Sequence, residues 1–183
     1  IDNMLKVTSD GKKLALDPRC YVPESDDEDG NKLNEAAQRI HEIWTDTADI
    51  KGTQIVFCDL STPKRKFEDY NYGTHFDAYN ELKYKLVQKG IPVKEIGYIH
   101  DASTDEQKQA LFDSVNSGAI RVLIGSTEKC GAGTNVQKRL VALHHMDTPY
   151  RPSDKQQREG RIIRQGNTSV VAVKLLQVFA FKF

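Results

Sequence analysis

Apolar positions along this chain alternate between helical spacing and short continuous runs. Leu33, Ala36, Ala37, Ile40, Ile43, Trp44 and Thr47 recur at a 3.6-residue period, which predicts an amphipathic helix reaching about Ala48. Residues 53–59 (TQIVFCD) form a short apolar run and predict a buried strand. Phe76, Tyr79, Leu82, Leu86 and Val87 mark a second helix ending near Gly90, and residues 93–99 a second strand. A third helix opens at Ser103 or Thr104, with Glu106 or Gln107 placed three residues on for a capping box. Ala110, Leu111 and Val115 form its inner face and Gly118 stops it. Residues 120–124 and 140–146 are further strands, and an arginine-bearing helix lies beyond Asp147, Thr148 and Pro149. Strands separated by helices of this length imply right-handed crossovers and a doubly wound, mostly parallel sheet with helices on both faces, a three-layer α/β/α architecture. In such sheets ligands collect at the carboxyl ends of the strands, here the loops after Asp59, Ile99 and Gly125 and around Asp147.

Residues 1–30 show no sustained period, contain Gly11, Pro18, Pro23 and Gly30, and finish in an acidic run, Ser25 to Asp29. They predict an extended arm or inter-lobe linker, with the run SDDEDG as a solvated acidic turn, ahead of a lobe filling 31–183. The apolar tail from Leu175, with its alternating Phe residues, predicts an edge strand. A chain of 183 residues suits one domain with a sizeable core. Its 26 basic and 26 acidic residues cancel, so DNA affinity of the isolated chain at physiological salt is expected to be weak. No apolar run approaches the roughly 20 residues that cross a bilayer, so no membrane partner is expected. Cys20, Cys58 and Cys130 are too few and too far apart for a CxxC metal site or a disulfide framework, which fits free thiols in a reducing cytoplasm. Adjacent His144 and His145 on a strand face opposite sides and cannot share a metal, and no metal site is expected. A first residue of Ile rather than Met suggests a fragment of a longer protein.

The chemistry concentrates late in the chain. After the third strand, the segment GSTEKCGAGTN brings Gly125, Gly131 and Gly133 where backbone must approach a partner closely or take positive φ. Bare amides there, with the hydroxyls of Ser126, Thr127 and Thr134, can hold phosphate oxygens. After the fourth strand comes Gln157-Arg158-Glu159-Gly160-Arg161-Ile162-Ile163-Arg164. Arg161 and Arg164 lie three apart and share a helix face with Gln157, and a guanidinium fork suits phosphate. A lone RxxR is usually a solvated basic edge; following a strand, a Gly-loop and another strand it reads otherwise. Asp154 reads as a helix N-cap.

In this order the segments resemble motifs V and VI of superfamily II helicases, and within them the C-terminal RecA-like lobe of the Swi/Snf-type branch. HHMDTPYRPSDKQQREGRIIRQGN is similar to helicase-like proteins of bacterial plasmids, phages and conjugative elements, and the resemblance runs from about Lys51 to Val173. It implies a RecA-like fold and the second motor lobe of an ATP-dependent DNA helicase or translocase. ATP and Mg²⁺ would be held mainly by an N-terminal RecA-like lobe of the same polypeptide. Carried onto these positions, Arg164 would stabilise the transferring γ-phosphoryl, Arg161 would make a second phosphate contact or brace an acid, and Gln157 would orient the helix. Gly131, Gly133, Asn135 and Gly160 would border the nucleotide. Ser61, Thr62, Lys64, Thr127, Lys129 and Thr134 would contact the nucleic-acid backbone. The sequence has neither GxxxxGK[ST] nor a strand-borne acidic pair, so the chain alone is expected to be inactive. Two other classes compete: an α/β transferase, which needs GxGxxG directly after the first strand whereas GAGTNV occurs late, and a non-catalytic interaction module derived from a motor lobe.

Overall fold

The computed structural model describes residues 3–63, 66–73, 76–130, 135–147, 149, 151–160 and 165–168, and the backbone of 177–180. Among the described residues five strands form one sheet in the order β2-β3-β1-β4-β5: β1 Thr53–Phe57, β2 Ile96–Tyr98, β3 Val122–Gly125, β4 Leu140–His145 and β5 Gln177–Ala180. All four neighbouring pairs are parallel, with Val56 opposite Ile124 on one side and His144 on the other. Helices α2 Lys32–Asp46, α3 Ala78–Gln88, α4 Asp105–Ser117 and α5 Pro152–Glu159 fill the crossovers and flanks.

The period of two along the strands sorts the core into two layers. Val56, Cys58, Val122 and Ile124 pack with Leu33, Ile40, Leu82 and Leu86 of α2 and α3. Ile55, Phe57, Leu123 and Leu143 pack on the other face with Phe112 and Val115 of α4. The result is the three-layer α/β/α arrangement expected from the pattern and the RecA-like fold that the resemblance implied. Gln54, a polar residue inside β1, is buried with its Nε2 donating to Ile40 O (2.9 Å) and its side-chain oxygen 2.8 Å from His144 Nε2. His145 lies on the opposite face, stacked on Phe57.

Local chemistry explains the helix ends. Thr104 and Gln107 form a reciprocal capping box at α4, and Gly118 closes it at φ +79°. Asn31 and Asp77 cap α2 and α3 through their side chains.

The N-terminal segment is not an extended arm. Residues Met4–Leu16 form helix α1, capped by Asn3, and a 3₁₀ turn follows at Pro18–Cys20. The helix escaped the pattern because Leu16 is its one buried residue, while Met4, Leu5, Val7 and Leu14 are exposed. Charge anchors the stretch between this helix and α2. The buried Arg19 guanidinium meets Asp17 (2.8 Å), Asp27 (3.0 Å) and Glu81 of α3 (3.0 Å), and lies over the Phe76 ring. Asp27 also pairs with Lys85 and accepts from Asn31 and Asn34. Asp27 thus docks the acidic run on α3, while Asp26, Glu28 and Asp29 remain exposed, as a solvated turn would have them.

Candidate functional site

The carboxyl ends of β1, β2 and β3 and the face of α5 surround an open cleft of about 530 Å³. Asp59 and Thr62 come from the loop after β1, His100 from the turn after β2, and Ser126, Thr127, Glu128 and Lys129 from the loop after β3. Asp154 and Gln157 come from α5. Distant stretches of sequence expected to hold phosphates thus converge where parallel-sheet geometry sends them.

One side chain organises this edge, and the sequence reading passed over it. Arg158 is 1% exposed. Its Nη2 donates to Asp59 Oδ2 (2.7 Å) and Asp147 Oδ1 (3.1 Å), its Nε to Thr127 Oγ1 (2.7 Å), and its Nη1 to the Asp147 carbonyl (3.2 Å). The guanidinium also covers the Phe57 ring at 5.0 Å. Arg158 therefore ties α5 to the ends of β1 and β4 and to the loop after β3. The signal for it was indirect. Asp59 and Asp147 close adjacent strands, and two carboxylates at one sheet edge call for a cation between them.

Asp147 is nearly buried, and its Oδ2 accepts the backbone N–H groups of Asp59 and Leu60. Burial, reinforced by Asp59, pushes its carboxyl above the usual range against the pull of Arg158 and the two amides. His145 Nδ1 lies 3.3 Å from Arg158 Nη1, and because a guanidinium only donates, Nδ1 accepts and the ring proton sits on Nε2. Burial, then Arg158 and Lys155, pulls this imidazole down to about 4.

Several expected contacts look different in place. Thr127 gives its N–H to Asp59 Oδ1 (2.6 Å) and its hydroxyl to Asp59 Oδ2 (2.7 Å), so both donors are engaged within the fold. Ser61 sits at φ +54° and its hydroxyl accepts the Ala78 N–H, fastening the loop after β1 to the start of α3. Thr62, Lys129 and Gln157 are exposed and line the cleft. The Asn135 carbonyl accepts from Asn116 beyond the cleft lining. At Gly125 an added Cβ would meet Cys130 Sγ at 2.4 Å and Ile99 at 2.5 Å, so this glycine serves close packing of the loop on the core. A Cβ on Gly160 would meet Gln156 O at 3.1 Å.

Asp154 is not the cap of α5. Arg151 holds that position without a side-chain bond, and Pro152, suited to the first helical turn, starts the helix early. Asp154 falls in the first turn, where its charge complements the helix dipole and faces the cleft. His100 was also passed over; its Nε2 lies 3.4 Å from the Tyr79 hydroxyl, and burial followed by Lys129 lowers its pKa. Arg161, Arg164, Lys64, Gly131, Gly133 and Thr134 lie outside the described residues. Among the described residues no group of three or more His, Cys, Asp or Glu could hold a metal, and no helix is long and apolar enough to cross a membrane.

Comparison with known proteins bears on this geometry. The C-terminal part of the Fun30 ATPase domain, known from a crystal structure, superposes with a TM-score of 0.57 at 17% identity. The match covers 89% of this chain and 47% of that one, so the chain spans about half the length of that structure. At this identity the likeness bears on the fold alone. Curated protein sequences give no match. The helicase conserved C-terminal domain matches residues 42–166, from within α2 through the cleft loops to the segment after α5. Since that match takes in more than half of the sequence, the chain belongs to the helicase conserved C-terminal domain family.

Proposed function

We propose that this chain is the second motor lobe of an ATP-dependent DNA helicase or translocase. It would supply arginine fingers and nucleic-acid backbone contacts across a cleft to an N-terminal RecA-like lobe of the same polypeptide. The observation that carries the reading is the convergence of the loops after β1, β2 and β3 with α5 on one cleft at the carboxyl edge. The sequence leaving α5 there is Gly160-Arg161-Ile162-Ile163-Arg164.

In this reading Arg158 is a positioning residue: its ion pairs fix the helix from which Arg161 and Arg164 depart. Arg164 stabilises charge on the γ-phosphoryl and Arg161 makes the second contact, while Gln157 orients the approach. ATP would bring the phosphoanhydride and Mg²⁺ would neutralise its oxygens; both are assigned mainly to the other lobe, following the resemblance and the lack of a GxxxxGK[ST] loop in this sequence. The described cleft fits one side of a triphosphate only with help, since Asp59, Glu128 and Asp154 outnumber its one cation, Lys129. Attraction for phosphate must then come from Arg161, Arg164 and, on the DNA side, Lys64 together with Lys129.

The test is DNA-stimulated ATP hydrolysis by the polypeptide carrying both lobes. Arg164→Lys, whose ammonium lacks the forked contact, and Arg161→Ala, which removes the second phosphate contact, are each expected to lower the rate by roughly three to five decades. Near-normal hydrolysis in Arg164→Lys would overturn the finger assignment. Unchanged DNA stimulation in a Lys64→Ala, Lys129→Ala double variant would remove the proposed backbone contacts.

A further inference from the structure

At the amino end of the sheet, away from the cleft just described, lies a second cleft of about 580 Å³. Arg121, which immediately precedes β3, lines it and is 5% exposed. Its Nε donates to Gly52 O (3.1 Å), and its Nη2 to Trp44 O (2.6 Å) and Thr47 Oγ1 (3.0 Å), with the guanidinium over the Trp44 ring at 5.1 Å. Among the described residues no carboxylate pairs with it, and Nη1 has no hydrogen-bond partner. Glu95, the acid whose charge acts most on Arg121, gives its Oε2 to Trp44 Nε1 (2.8 Å) instead.

Two exposed lysines complete the lining. Lys51 and Lys94 pair with no carboxylate among the described residues; in the lining Lys51, Lys94 and Arg121 face Glu95, and Asp49 adds a second, weaker negative charge near Arg121. The Lys51 position is fixed by backbone: it sits at φ +49° against Gly118, where an added Cβ would meet Lys51 Cβ at 2.7 Å. Helices α2 and α4 both end near this cleft, and their carbonyl ends favour basic neighbours. That accounts for the presence of positive charge, but not for a nearly sealed guanidinium whose Nη1 is left unengaged.

We propose that the amino-end cleft is an oxyanion site, taking a carboxylate or phosphate group on Arg121 Nη1 with Lys51 and Lys94 closing over it. With Nε and both Nη2 hydrogens spent inside the fold, the two N–H groups of Nη1 are what the guanidinium still offers, and charge-assisted bonds from them suit carboxylate or phosphate oxygens. The site does not rest on the motor reading. The five residues of β1 put about 17 Å between the two ends of the sheet, so both clefts can be filled at once.

The test uses ¹H–¹⁵N correlation spectra of the 183-residue chain at low ionic strength, titrated separately with inorganic phosphate, acetate and a short glutamate-rich peptide. Saturable shifts are expected at the amides of 94–95 and 118–121 and at Arg121 Nε. A Lys51→Asn, Lys94→Gln variant, with Asn chosen because it tolerates positive φ, should weaken binding at least about tenfold. A peptide that binds tighter than acetate at equal carboxylate concentration identifies an acidic segment as the source of the anion, and phosphate binding tighter than the peptide identifies a small phosphate ligand. Shifts that never saturate, or equal affinity in the double variant, overturn the proposal.

Discussion

Arg158 and Arg121 are both nearly sealed from solvent, both lie over an aromatic ring, and they sit at opposite ends of the same sheet. Arg158 meets two carboxylates, a hydroxyl, a carbonyl and an imidazole, whereas Arg121 meets two carbonyls and a hydroxyl. The first charge is neutralised inside the fold and can only hold parts together. The second keeps its charge and a donor for something outside. A buried ion pair is a positioning device whose removal strands its partners, while an unpaired buried cation is a latent binding group. The described linings follow the same division: Asp59, Glu128 and Asp154 against Lys129 at the carboxyl end, and Lys51, Lys94 and Arg121 against Glu95 at the amino end.

The largest effect should come from cutting the neutralised end. Arg158→Met leaves Asp147, with its side chain 5% exposed, facing Asp59 with no cation between them. Removing one partner of a buried pair costs about 3–5 kcal/mol, toward the lower figure here because Asp59 still reaches water. Urea unfolding of the chain measures it, and adding Asp147→Asn should restore part of the loss. A loss below about 1 kcal/mol in Arg158→Met would end the contrast between the two arginines.

Acid probes the same end. His145, held down to about 4 by burial and Arg158, and His144, held down to about 3 by burial and His145, are neutral in the fold. An unfolded imidazole takes its proton near 6.5, so this contribution is whole above that pH and is lost as pH falls toward 4 and then 3. Between pH 7 and pH 5, His145 alone should cost about 2 kcal/mol of stability, and His144 adds to the slope. Asp147 acts oppositely: its raised pKa gains stability as pH falls through its folded value toward the ordinary 3.8. Stability that stays flat from pH 7 to 5 in an Asp147→Asn variant, where the opposing carboxyl is gone, would mean that neither imidazole is held neutral in the fold.

Much of the fold was legible because strand burial and helix period are written locally. The apolar run at β1, the Thr104 capping box and Gly118 each specify their own geometry. Helix α1 was not legible, since its apolar residues face outward and its anchor, Arg19, acts through Glu81 far along the chain. The cleft followed from strand order, which brings the loops of a parallel sheet to one edge. Its internal wiring did not. Arg158 and Thr127 are 31 residues apart and Arg158 and Asp59 are 99 apart, and no local pattern announces that these groups bond. Gly125 illustrates the same gap, because a phosphate-loop glycine and a glycine packed on Cys130 are the same letter in sequence.

A smaller effect is expected at the unpaired end. Arg121→Met keeps the contact with Trp44 and strands only neutral acceptors, and Thr47 Oγ1 still donates to Ile43 O (2.6 Å). Losing hydrogen bonds to neutral groups should cost about 1–2 kcal/mol, less than Arg158→Met. If the two methionine variants unfold at the same urea concentration, carboxylates make no difference to what a buried arginine contributes.

The smallest effect is the sharpest discriminator between fold support and latent binding. Lys51 and Lys94 are exposed and pair with no carboxylate among the described residues, so Lys51→Asn with Lys94→Gln should change stability by no more than about 0.5 kcal/mol. The sign should be favourable at low salt, because two charges that repel Arg121 are gone, and the gain should vanish near 1 M salt, where the Debye length shrinks to about 3 Å. Urea unfolding at both ionic strengths separates the cases. A loss above about 1 kcal/mol, insensitive to salt, would mean that the lysines brace the ends of α2 and α4, and Arg121 would then be part of a structural cluster like the one around Arg158.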